Sequence, residues 1–191
     1  PYSVSDIRTI SEEALLIPEV RVGMDAQVSE KLTSGRKTFG EQNAERGWHP
    51  YRREVDMGTD QRRFNRDGDG YPIYEGRMVD FYDHRAKVYL SGSGRSSKWS
   101  ETLPFDNPRK AILPQWHIAG DQVPDKLAGS HLRYRIGFLD VVNPKSDKRC
   151  LTAAVVPAQT VCGHKVPTVS FEQGQEWRYA LWQAVANTLC M

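Results

Sequence analysis

The sequence has no run approaching the roughly 18 consecutive apolar residues that a membrane-spanning helix needs, and no leader of the secretory kind. Cysteine is scarce. Cys150, Cys162 and Cys190 are odd in number and lack the paired spacing of a disulfide framework, which points to a reducing, cytoplasmic setting. An excess of one charge is also missing: 26 Lys and Arg against 24 Asp and Glu leave a formal net charge of +2. That balance neither requires nor excludes a nucleic-acid partner, and only clustering can decide. No Walker loop, nucleophile elbow, internal repeat or low-complexity segment occurs. With 39% hydrophobic and 26% charged residues among 191, the chain can bury one substantial core, alone or with a smaller appendage.

What is present is organisation. Residues 1–47 read as an approach segment with short helices: Asp25 is placed to cap a turn carrying Val28 and Leu32 at i and i+4, and Gly35 to stop it. From Phe39 to Gly70 the chain is polar, with Arg52, Arg53, Arg62, Arg63 and Arg66 interleaved with acids, and loops with short strands are expected. Strand signals then dominate, which defines a strand-rich domain over residues 48–175. Ala86 to Leu90 is a β-like run ending in the Ser91–Gly94 turn, and Ile112 to Ile118 is another. Leu132 to Phe138 alternates, so Leu132, Tyr134, Ile136 and Phe138 are expected on a buried face, with Arg133, Arg135 and Gly137 on the other. Cys150 to Val156 reads as a central strand that Pro157 ends. Residues 176–191 read as the start of a helical region, with Trp177, Leu181, Ala184, Val185, Thr188 and Leu189 on one stripe after Gly174. The expected class is therefore α+β, strand-rich, with a helical N-terminal segment and a C-terminal helix. Because the chain begins at Pro1 and stops inside a helical pattern, it reads as a fragment.

Several local motifs invite a chemical reading. Asn65-Arg66-Asp67-Gly68-Asp69-Gly70 imitates the first half of a calcium loop, but the closing glutamate position holds Gly76, and a turn rich in Asp and Gly accounts for it better. Gly92-Ser93-Gly94 lacks the third glycine and the following amphipathic helix of a dinucleotide site. It leaves a hairpin tip bearing Arg95 and Lys98, with Trp99 assigned to anchoring the loop in the core and stacking on a base as the alternative. Cys162-Gly163-His164 has two soft ligands and no second pair, so no zinc site is assigned. Between Leu127 and Val166, Arg133, Arg135, Lys145, Lys148, Arg149 and Lys165 stand against Asp140 and Asp147. A phosphate-facing surface and a solvated strand edge both fit that excess.

The segment Tyr71-Pro72-Ile73-Tyr74-Glu75-Gly76-Arg77-Met78-Val79, followed by Phe81-Tyr82-Asp83-His84-Arg85-Ala86, resembles the "PLYEGKM…YDHR" stretch that follows the catalytic domain in large adenine-N6 DNA methyltransferases of type IIG restriction–modification and related phage-defence families. Further elements come in the same order. Gly94-Arg95 with Trp99 resembles "GRGR…W", Pro114-Gln115-Trp116 resembles "PQW", and Arg133 to Phe138 resembles "RIGFRD". Thr152 to Pro157 with Cys162-Gly163-His164-Lys165-Val166-Pro167 resembles "RT…A..VP…GHK.P", and Ala180 to Leu189 resembles "ALLAVLNSF". Arg53-Glu54-Val55 and Phe64 form a weaker lead-in, so the resemblance spans residues 48 to 190.

That resemblance implies a target recognition region, a domain that contacts duplex DNA and selects the sequence to be methylated. The family's glycine motif for S-adenosylmethionine and its Asn-Pro-Pro-Tyr type loop are absent; Asp106-Asn107-Pro108-Arg109 has one proline and no aromatic. Chemistry on a base requires extrusion into such a pocket, so the catalytic methyltransferase domain is expected before Pro1 in the same parent chain. S-adenosylmethionine is then the parent's cofactor, and no catalytic or metal-binding residue is assigned here. The residues expected to touch DNA are Arg77, Arg85, Arg95, Lys98, Arg133, Arg135 and Lys165, since both cations neutralise phosphates and arginine pairs bidentately with guanine. Tyr74, Glu75, Gly76, Asp83, His84, Gln115, Trp116 and His164 are hallmark residues that build the domain or face DNA. Gly76 is assigned to backbone conformation, and an internal ion pair among Glu75, Asp83 and Arg85 is the structural reading. Two alternatives stay open: a protein–protein module of a multi-subunit defence complex, and a metal-dependent nuclease using Asp67, Asp69 and Glu75, for which no following lysine is evident.

Overall fold

The computed structural model describes residues 3–10, 23–35, 37, 41, 49–141 and 151–188. Lys145, Asp147, Lys148, Arg149, Cys150, Leu189 and Cys190 lie outside the described residues. The chain divides into two units, Pro1–Trp48 and His49–Met191. In the first, helix α1 (Val4–Ile10) opens on a reciprocal cap: the Asp6 backbone N–H donates to Ser3 Oγ at 3.2 Å and the Ser3 N–H to Asp6 Oδ2 at 2.7 Å. Two amides that a helix start leaves without partners are thereby satisfied. Helix α2 (Gly23–Thr33) carries Asp25 in its first turn instead of at its cap, and Gly35 adopts a left-handed φ of 67° just beyond its end.

The second unit is α+β, with ten short strands and one helix among its described residues. Strands β1 (His49–Arg52), β10 (Thr168–Ser170), β7 (Arg135–Phe138) and β8 (Ala153–Val156) form an antiparallel sheet in that order. Strands β2 (Phe64–Asn65), β6 (His117–Ile118), β3 (Tyr71–Tyr74) and β9 (Val161–Cys162) form a second sheet, in which β3 and β9 are parallel. A separate hairpin joins β4 (Tyr89–Ser91) to β5 (Lys98–Trp99). No described helix is long and apolar enough to cross a membrane.

The parallel pair β3–β9 divides two hydrophobic cores. Ile73 is in register with Val161, and both enter a core with Val55, Ile118 and Leu127. The next pair, Tyr74 and Cys162, points the other way into a core with Met78, Val79, Ala154, Val156 and Val166. The two-residue side-chain period of a strand makes one ladder serve both faces. Strand β7 is likewise covered on both sides. A Cβ on Gly137 would lie 2.6 Å from Val156 Cγ2 and 2.9 Å from Val166 Cγ1, so only glycine permits this approach.

Burial of β7 overturns the alternation expected for Leu132 to Phe138. The segment enters through a 3₁₀ turn at Ser130–Leu132, and the strand begins only at Arg135. Leu132 and Tyr134 are about half exposed (50% and 55%), while Arg135 and Ile136 are fully buried. The expected exposed positions Arg135 and Gly137 are therefore core positions. Strand β8 stops at Val156, before Pro157.

Helix α3 (Trp177–Thr188) packs on β7 and β8 with the face opposite to the expected stripe. Trp177, Leu181 and Val185 are exposed, whereas Tyr179, Ala186 and Asn187 are buried. Polar chemistry explains the orientation, because β8 is an edge strand whose outer amides need partners. Asn187 Oδ1 accepts from the Ala153 N–H at 3.2 Å, its Nδ2 donates to the Ala153 carbonyl at 2.9 Å, and Gln183 Oε1 accepts from the Val155 N–H at 3.0 Å. Two side chains at i and i+4 thus replace a missing neighbouring strand.

Candidate nucleic-acid interface

Of the cations expected to meet DNA, Arg135 is excluded by its position. Its Nε lies 2.7 Å from Glu54 Oε1, and both side chains are fully buried. The guanidinium also donates to the carbonyls of Arg133 and Thr160, each at 2.7 Å. Glu54 accepts in addition from the Cys162 N–H at 2.7 Å and from the Thr168 hydroxyl at 2.9 Å. The pair therefore ties Glu54, two residues after β1, to β7, β9 and β10. Burial opposes charge on Arg135 while Glu54 favours it, and its pKa is raised overall. Burial also pushes the Cys162 thiol up, so this cysteine is a packed thiol and not a nucleophile.

The hallmark residues form an internal polar network. Tyr74 is fully buried, and its hydroxyl lies 2.7 Å from His84 Nδ1. Burial first, then the Arg85 charge, lowers the pKa of His84, which favours the neutral ring beside the tyrosine hydroxyl. Asp83 pairs with Lys110, both buried, and its other oxygen accepts from the Arg85 backbone N–H at 2.8 Å. The Arg85 guanidinium donates to the Lys110 carbonyl at 2.8 Å. The ion pair expected among Glu75, Asp83 and Arg85 is thus replaced by Asp83–Lys110. The half-buried Glu75 has one carboxylate oxygen without a hydrogen-bond partner, and burial raises its pKa against the pull of Arg77.

Gln115 and Trp116 are also drawn inward. Gln115 is buried, and Trp116 packs beside Phe64 with the Arg66 guanidinium 4.3 Å from its ring centre. His164 Nδ1 accepts from the Met57 N–H at 3.1 Å and lies 3.5 Å from Asp56 Oδ2. Asp56 in turn caps its own turn, accepting from the Gly58 and Thr59 amides, which lowers its pKa. Asn65 Oδ1 accepts from the Asp67 N–H and Asn65 Nδ2 donates to the Asp69 carbonyl, so this loop's side chain serves its own backbone. Among the described residues no three His, Cys, Asp or Glu side chains converge on a metal position.

The remaining cations sort by neighbourhood. Arg133 borders a shallow pocket of about 240 Å³ whose walls include Tyr134, Glu172 and Glu176. The two carboxylates make that pocket a poor host for phosphate. Arg77, Arg95 and Lys98, in contrast, are gathered around the β4–β5 hairpin, and all three are exposed. Arg77 follows β3 on a 3₁₀ turn at Gly76–Met78. Its guanidinium reaches Ser97 Oγ at 3.5 Å and stands 5.8 Å from the Trp99 ring centre. Lys165 flanks the same turn: its Cβ lies 3.7 Å from where a Cβ on Gly76 would sit. Trp99 is half-buried, meets Tyr89 edge-on at 5.8 Å and packs against the core of Tyr74 and Met78, which anchors the hairpin. Residues 89–99 contain two cations and no acid.

Sequence reasoning missed Glu54 and Lys110 as the counter-charges that bury candidate residues, and Ser97 as the group that brings Arg77 to the hairpin. The serine-rich run from Ser91 to Ser97 was the available signal for the last. The chain matches no family model, no curated protein and no solved structure.

Proposed function

We propose that this chain binds duplex DNA, as the target recognition region of an adenine-specific DNA methyltransferase of a restriction–modification or phage-defence system. The observation that carries the DNA-binding half is the convergence of Arg77, Arg95 and Lys98 on one acid-free hairpin, with Lys165 beside the turn that supplies Arg77. Cations in such a cluster release condensed counterions when they meet phosphates, and that release drives binding. The methyltransferase half rests on the ordered resemblance from Tyr71 to Leu189. S-adenosylmethionine and the flipped adenine would be handled by a catalytic domain whose motifs this sequence lacks.

Fluorescence anisotropy with a labelled random-sequence duplex tests the reading. Three phosphate contacts, by Arg77, Lys98 and Lys165, should give a slope of log Kobs against log salt of about −2.7, and replacing Arg77 and Lys98 together by alanine should reduce it to about −0.9. Absence of binding at about 50 mM salt refutes the proposal. A second reading, a protein–protein module, is favoured by the outward face of α3, where Trp177 is 61% and Leu181 53% exposed.

A further inference from the structure

Resting on the DNA reading above, we propose that the β4–β5 hairpin enters a groove of the duplex as a two-stranded ribbon, with Arg95 at its tip as the residue that reads a base pair. Arg77, Lys98 and Lys165 then hold the flanking phosphates. A two-stranded antiparallel ribbon fits the major groove, where guanine offers two acceptors to an arginine fork.

The tip is built to hold a shape. Gly92 has a φ of +87°, and a Cβ there would meet the Ser96 carbonyl oxygen at 2.4 Å. Ser93 and Ser96 form a capping box around the Gly94–Ser96 3₁₀ turn, with Ser96 Oγ donating to the Ser93 carbonyl at 2.8 Å. The Tyr89 hydroxyl donates to the Gly92 carbonyl at 2.5 Å, and Trp99 packs on Tyr89 beneath it. A side chain carried on such a turn loses less freedom on binding than one on a mobile loop.

The division of roles follows from what each cation already touches. The Arg77 guanidinium is held along the side of the hairpin by Ser97 and Trp99, where a strand of phosphates would run past it. Lys98 and Lys165 present compact ammonium charges, suited to phosphate but not to bidentate pairing. Arg95 lies at the outermost turn, is exposed, and its side chain has no hydrogen bond or ion pair among the described residues. Its five donors are available to a base edge.

The experiment selects from a pool of duplexes with a randomised central stretch, using the chain of residues 1–191, then repeats the selection with Arg95→Ala, Arg95→Lys and Lys98→Ala. The wild type should enrich a motif in which at least one guanine is preferred by roughly 5- to 150-fold, the range of one bidentate pair. Arg95→Lys keeps the charge and loses the fork, so it should abolish that preference like Arg95→Ala while leaving the salt slope on random duplex within about 0.3 of the wild type. Lys98→Ala should retain the motif and lose about 0.9 from the slope. Retention of the full motif by Arg95→Lys overturns the base-reading role and makes Arg95 a phosphate contact. Binding by the wild type without any enriched motif overturns it too, leaving the DNA-binding reading in place. No binding at all overturns both.

Discussion

Replacing Arg135 by methionine should cost stability and leave DNA affinity alone, which reverses what its place in an alternating basic strand implies. The guanidinium is the only charge paired with Glu54 among the described residues, and neither side chain reaches solvent. Breaking a buried pair by removing one partner costs about 3–5 kcal/mol, because the remaining charge keeps its desolvation penalty without its attraction. Glu54 would retain the Thr168 hydroxyl and the Cys162 amide as donors, which limits the loss. The carbonyls of Arg133 and Thr160 would lose theirs, at about 1–3 kcal/mol for each one left dry. These contributions overlap, so the expected destabilisation is about 4–6 kcal/mol against a total of roughly 5–15 kcal/mol. At about 3 °C per kcal/mol for a unit of this size, the midpoint should fall by roughly 12–18 °C. Adding Glu54→Gln removes both charges and keeps an acceptor for the Cys162 N–H and the Thr168 hydroxyl, so it should recover about 2 kcal/mol relative to Arg135→Met alone. Thermal and urea melts measure the first effect, and anisotropy on duplex DNA below the melting range measures the second. A variant that melts within about 3 °C of the wild type would sink the argument. Unchanged melting with lost DNA affinity would place the guanidinium on the DNA instead.

Asn187→Leu keeps the helix but strands the Ala153 N–H, while the Ala153 carbonyl still accepts from the Tyr82 N–H, so a loss of about 1–3 kcal/mol and faster hydrogen exchange at Ala153 are expected; unchanged protection there would show that the helix does not satisfy the sheet edge. Tyr74→Phe removes the hydroxyl that meets His84 and should cost about 1 kcal/mol, with the His84 pKa moving when followed by NMR; an unmoved pKa would break the link. Stability should also depend on pH through His84 and His131, whose folded pKa values burial holds below 6.5. The unfolded chain binds more protons between the folded value and 6.5, so stability is full above about pH 6.5 and is lost as pH falls. Glu75, raised above 4.5, acts with the opposite sign, its contribution being lost as pH rises through the folded value, and a melting series of Glu75→Gln from pH 7.5 to about 5.5 that stays flat would contradict the histidine assignment. Gly92→Ala forces a side chain into the Ser96 carbonyl and should weaken duplex binding while the global melting point stays in place; coupled loss of both would mean that the tip is part of the core.

The features legible from the sequence were those decided within a few residues. Pro157 closes β8, Gly174 precedes α3, and Gly92 with Gly94 bends the chain between β4 and β5, each by a local backbone restriction. The α+β class followed from adding such signals. What was not legible was settled at long range. The parallel pairing of Ile73 with Val161 joins residues 88 positions apart, and no periodicity announces it. Arg135 was misplaced because alternation assumes that one strand face meets water, whereas its face meets Glu54, 81 residues earlier. The stripe on α3 was turned the wrong way for a related reason. An apolar count measures what a helix can bury against other apolar groups, and this helix faces the sheet with Gln183 and Asn187 because an edge strand needed hydrogen bonds.

The same distinction decides which cations are left for a partner. Arg85, Arg135 and Lys110 are basic residues that an internal carbonyl or carboxylate takes first, and Arg66 is laid on Trp116. Counting positive charge along the chain therefore overstates the surface available to phosphate. A hairpin without acids escapes this competition, since its cations have no local counter-charge and its short strands bring none from elsewhere. Arg77 joins them only because the turn after β3 runs against Ser97 and Trp99. The candidate interface is thus half local and half tertiary: Arg95 and Lys98 depend on the hairpin alone, and Arg77 and Lys165 on the packing of the core beneath it. Moving the turn after β3 away from Ser97 should therefore cost the Arg77 contact and leave the tip undisturbed.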